Sequence, residues 1–107
     1  MKAKFMHSWG EHRYEAYVNE KKELVKFNSP THETDLILSS FDNGRFYFIE
    51  LWGAYGLSRN EFTVTDDRKE AFEIFSGIIN ELLQVLDDEE ERAEAMKAVE
   101  NARKILL

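Results

Sequence analysis

The feature that most constrains this chain is Asn43-Gly44, set between two alternating apolar runs, Glu33–Phe41 and Arg45–Trp52. Asn-Gly accepts two consecutive left-handed backbone conformations at little cost. It therefore closes a tight hairpin whose twist matches that of its strands. A turn centred there pairs Asp42 with Arg45 and sets every later pair. Side chains alternate along a strand, so the register sorts this segment into two faces. Leu36, Leu38, Ser40, Tyr47, Ile49 and Leu51 share one face. Asp35, Ile37, Ser39, Phe41, Phe46, Phe48, Glu50 and Trp52 share the other.

The first face is aliphatic and should pack on helices. The second mixes aromatics with acids. A buried face rarely carries unpaired carboxylates, and a solvated face rarely carries three Phe and a Trp together. This aromatic face must therefore close against something: the same chain, a second copy or an external partner. Phe41, Arg45, Phe46, Phe48, Trp52 and Arg59 are the candidate residues of such a partner or nucleic-acid face.

Upstream, Gly10-Glu11 reads as another hairpin turn, with Phe5 opposite Ala16 and His7 opposite Tyr14. A second turn at Lys21-Lys22 pairs Val18 with Val25 and Ala16 with Phe27. Pro30 then interrupts the ladder because it has no N–H to donate. Downstream, "GAYGLSRN" reads as a glycine-punctuated loop, and "EFTV" as a short strand ending at Thr65.

After Asp66 the period changes from two to helical. Asp67, with Glu70 three residues on, has the pattern of a capping box. Ala71, Phe75, Ile78, Leu82 and Leu86 recur at helical spacing, widened by Phe72, Ile74, Ile79, Leu83 and Val85. Such a broad stripe suits a helix laid across a sheet. "LDDEEE" reads as the solvated start of a second helix, with Asp87 or Asp88 as cap and three Glu at the positive end of the dipole. Ala95, Ala98, Val99, Ala102, Ile105 and Leu106 form its stripe. One continuous helix over 67–106 is the competing reading.

The chain has 107 residues, enough for one domain with its own core. It has no cysteine, which excludes disulfides and thiolate chemistry. The net charge of −7 disfavours long-range attraction to nucleic acid or anionic membrane. No apolar run reaches the length of a membrane span. "MKAKFMHSWGEH" lacks the apolar core of a secretion signal, so a cytoplasmic location is expected.

Motifs with intrinsic chemistry are lacking. There is no phosphate-binding glycine loop, nucleophile elbow or HExxH, and "LDDEEE" lacks the alternating ligands of a calcium loop. His7 and His12 share a face but lack a third ligand there, and His32 follows Pro30 in a loop. Asp35 and Glu50 are diagonal neighbours close enough to couple. No enzyme activity, cofactor or metal is expected.

The order of strand, tight turn, "GRF" strand, glycine-bearing loop, short strand and long amphipathic helix resembles a PUR repeat, as found in purine-rich-element-binding proteins. The Whirly-like fold is similar. The resemblance spans residues 35–86 and rests on Gly44-Arg45-Phe46, Ile49, Gly53 and Ser58-Arg59. It implies a curved sheet backed by a helix, two repeats joined, and single-stranded nucleic-acid binding through basic residues and an aromatic. Arg45 and Phe46 sit at matching positions. Ser39 and Phe48 stand where the family tends to place Lys, and Asp35 and Glu50 add negative charge.

We therefore expect one α+β domain over 1–107. A curved antiparallel β-meander of five to six strands fills 1–65, and two helices follow in 66–107, the first packed on the sheet. The expected function is non-enzymatic binding through protein contacts, as a homodimer, with an inhibitor, immunity or phage anti-defence role as one outlet. The alternative is PUR-like binding of single-stranded DNA or RNA. No membrane association is expected.

Overall fold

The computed structural model describes residues 4–6, 21–53 and 60–107. The Gly10-Glu11 hairpin, His7, His12, the partners proposed for Val25 and Phe27, the "GAYGLSRN" loop up to Arg59, and Arg59 itself lie outside the described residues.

The fold is α+β: one antiparallel sheet and two helices. Its strands are β1 (Lys4–Met6), β2 (Lys22–Ser29), β3 (Thr34–Phe41), β4 (Phe46–Gly53) and β5 (Asn60–Thr65). They lie side by side in the order β1-β5-β4-β3-β2. The expected count of five to six strands is corrected. Four strands of six to eight residues, β2 to β5, form the meander that carries the core. β1 adds only a three-residue ladder on β5, with Phe5 opposite Thr63. Alternation marks a segment able to pair, but ladder length depends on partners that are distant in sequence.

The Asn-Gly register is as read. Phe41 faces Phe46, Ser39 faces Phe48, Ile37 faces Glu50 and Asp35 faces Trp52. Asn43 and Gly44 have φ of 56° and 84°, and the Arg45 N–H donates to the Asp42 carbonyl at 3.1 Å. Both central residues thus have the positive φ that a tight hairpin turn requires. Pro30–His32 forms a 3-10 turn, which places His32 there rather than in an irregular loop. Glu33 follows with φ 46°, so β3 begins at Thr34 and not at Glu33.

Two helices follow, α1 (Arg68–Leu83) and α2 (Glu89–Leu106), in place of one continuous rod. Asp67 caps α1 by accepting from the Glu70 N–H at 3.1 Å, and Asp88 caps α2 by accepting from the Glu91 N–H at 2.9 Å. The Arg92 guanidinium donates to the Leu83 and Leu86 carbonyls at 2.7 and 2.8 Å. Carbonyls freed where α1 ends are thereby satisfied, which holds the break between the helices. Among the described residues no helix is long and apolar enough to cross a membrane.

Both helices lie on the aliphatic sheet face. α1 contacts β4 and β5, and α2 contacts β2. Val25, Phe27, Leu36, Leu38, Ile49 and Leu51 of the sheet meet Ala71, Phe75, Ile78, Ile79 and Leu82 of α1 and the alanines of α2. Fully burying one such large side chain contributes roughly 1.5–3 kcal/mol. Small alanines let α2 lie close while α1 supplies the bulk.

One part of "LDDEEE" departs from a solvated helix start. Glu89 and Glu90 are exposed, but Glu91 is only 8% exposed. Its carboxylate accepts from Ser29 Oγ at 2.5 Å and Thr31 Oγ1 at 2.6 Å. The Ser29 bond first, and then the Thr31 bond, hold its pKa below the ordinary value, against burial, which raises it. Glu91 is thus a clasp between α2 and the end of β2.

Candidate functional site

The sheet face opposite the helices carries the candidate aromatic residues. β3 contributes Phe41. β4 contributes Phe46, Phe48, Glu50 and Trp52. β5 pairs Phe62 with Glu50 and Val64 with Phe48, so those two side chains join the same face.

The rings form a continuous ladder. Phe46 stacks on Phe41 at 5.2 Å between centroids, Phe41 meets Phe48 edge-on at 6.5 Å, Phe48 stacks on Phe62 at 6.0 Å, and Trp52 meets Phe62 edge-on at 4.8 Å. These are offset and edge-on geometries that the ring quadrupoles favour. The middle of the ladder is closed within the single chain: Phe48 and Phe62 are both 0% exposed, and Phe41 is buried. Phe46 and Trp52, at its two ends, are half-buried. Arg45 is exposed, 5.6 Å from the Phe46 ring centroid and 3.6 Å from an Asp42 carboxylate oxygen.

A charge lies inside this cluster. Glu50 is 1% exposed. Its Oε2 accepts from Lys21 Nζ at 2.6 Å, and its Oε1 accepts from the Trp52 indole N–H at 3.3 Å. The Lys21 ammonium also lies 5.9 Å from the Phe48 ring centroid. A buried carboxylate is tolerated when paired and hydrogen-bonded on both oxygens, and here both are engaged. Asp35, expected to couple to Glu50, instead accepts from Asn28 Nδ2 at 2.6 Å. The two carboxylates thus have separate partners, an amide for Asp35 and an ammonium for Glu50.

Ser39, on the same face, is buried, and its Oγ has no hydrogen-bond partner among the described residues. Sequence reasoning missed Phe62, Val64 and Lys21 as members of this cluster. For Phe62 and Val64 the alternation in "NEFTVT" was the available signal. Their side could not be assigned, because the connection from β4 has no length-defined turn. Lys21 had no signal, since its partner lies 29 residues away.

Scans of protein-family models, curated proteins and solved structures give no match to this chain.

Proposed function

We propose that this chain is a small, non-enzymatic binding module that acts through protein–protein contacts and self-associates. The observation that supports this reading is the aromatic ladder, whose half-buried end Phe46 lies beside exposed Arg45. Aromatics and Arg in partly desolvated settings are the residues that dominate protein interfaces. Rings already held by neighbours lose little entropy on docking. The small size and the charge of −7 suit an inhibitor, immunity or phage anti-defence protein, which blocks a target by contact alone.

Arg45 beside Phe46 also favours a second reading, binding of single-stranded DNA or RNA by stacking and phosphate contact. Phe48 offers no exposed ring for it, and Glu50 is already neutralised by Lys21 rather than by a phosphate-facing base.

Two measurements separate the readings. Light scattering is expected to give a mass above the 12.6 kDa of one chain. Titration of fluorescent single-stranded DNA and RNA with up to about 50 µM protein in low salt is expected to give no binding, since even non-specific binders reach roughly 10⁻⁴–10⁻⁶ M. A monomer with saturable, salt-sensitive strand binding would reverse the conclusion.

A further inference from the structure

The helix layer has an outer surface with its own pattern. An open groove of about 690 Å³ runs between α1 and α2. Leu83, Met96 and Val99 line it, together with Lys97, Lys104 and the Arg103–Glu100 ion pair at 3.3 Å. Met96 is 63% exposed and sits at the middle of α2.

Charge is segregated along α2. Residues 88–94 hold five acids and one base, whereas residues 95–107 hold three bases and one acid. Glu89, Ala93, Met96, Lys97, Glu100 and Lys104 are all exposed and recur at helical spacing, so they form one outward stripe. Glu89 stands at one end of that stripe and Lys104 at the other. Such a stripe is complementary to itself only when reversed.

Gly77 adds an observation from α1. It is exposed in mid-helix, and a Cβ added there would meet nothing within 4 Å. Glycine at such a position costs about 1 kcal/mol against alanine, and no neighbour among the described residues requires it.

We propose that two copies of this chain pair through their helix layers, with α2 antiparallel to α2 about a two-fold axis between Met96 and Lys97. This rests on the self-association proposed above but seats it on the helix layers, not on the aromatic ends. The axis places Glu89 of each copy against Lys104 of the other, Ala93 against Glu100, and the two Met96 side chains beside the axis over the groove. An isologous contact of this kind is closed, so it stops at the dimer and lies on the side of each copy opposite the aromatic sheet face.

The test is sedimentation equilibrium of the full chain from about 5 to 200 µM at physiological ionic strength. The wild type is expected at twice the 12.6 kDa chain mass. Met96→Lys, Glu89→Lys and Lys104→Glu are each expected to weaken association about tenfold or more, since like charges then face each other. All three positions are exposed, and circular dichroism checks that each variant is folded. An equimolar mixture of Glu89→Lys and Lys104→Glu is expected to regain the dimer, because one 89–104 pair is then reversed, the other is native, and both are attractive. A wild-type monomer at 200 µM overturns this proposal and the self-association together. A wild-type dimer indifferent to these changes, but dissociated by Phe46→Glu, overturns the helix surface alone. Charge variants that dissociate the dimer without mutual rescue overturn the antiparallel register.

Discussion

At the scale of the residue, Glu50 shows how a charge can sit inside an aromatic cluster. Its two oxygens are engaged by Lys21 and Trp52, and the Lys21 side chain keeps 22% of its surface in solvent. Removing the lysine strands the carboxylate, whereas removing both charges does not. Lys21→Met is therefore expected to lower stability by about 3 kcal/mol, and Glu50→Gln in that background to recover most of the loss. Urea unfolding of the two variants checks this. A single-variant loss below about 0.5 kcal/mol would mean that water screens the pair as it does a surface one. The charge itself was legible as an oddity, an acid among Phe and Trp on one face. Its partner was not, because a side-chain ion pair across 29 residues leaves no periodic trace.

At the scale of the element, the helices were the most legible part, since capping and spacing are local. Asp67 and Asp88 cap as their positions dictate, and the stripe Ala71, Phe75, Ile78, Leu82 and Leu86 is buried throughout. Glu91 was misread, because an acid in a first turn satisfies the helix dipole equally well when exposed. Only the end of β2 arriving beside it makes it a clasp. The clasp has a pH signature. The folded pKa of Glu91 lies below its ordinary value of 4.5. Its contribution is therefore fully present above that value and is lost as pH falls through the folded pKa. Glu91→Gln is expected to be less stable than wild type at pH 7, with the gap closing on acidification toward pH 3. A gap of constant size in chemical denaturation at both pH values would show that the carboxylate charge contributes nothing.

At the scale of the whole molecule, the charge of −7 opposes compaction. Eleven of the acids fall in residues 66–94, with three bases, so repulsion concentrates in that part of the helix layer. Raising salt from about 10 to 150 mM shortens the screening length from roughly 30 to 8 Å. The melting temperature is expected to rise over that range, and calorimetry that found it falling would show that attractive pairs dominate instead. Order along the chain by itself determined the α+β class, the Asn43-Gly44 register, the two faces of the hairpin and the capping signals at Asp67 and at Asp87 or Asp88, but not whether 67–106 is one helix or two. Each of these follows from chemistry within a few residues: a turn conformation, a side-chain period, a cap. Only the tertiary structure decided that β1 lies on β5, that Phe62 and Val64 complete the aromatic ladder, that Lys21 neutralises Glu50, and that Glu91 grips Ser29 and Thr31. Those contacts join residues far apart in sequence, and their free energy is realised only once the intervening chain has folded around them.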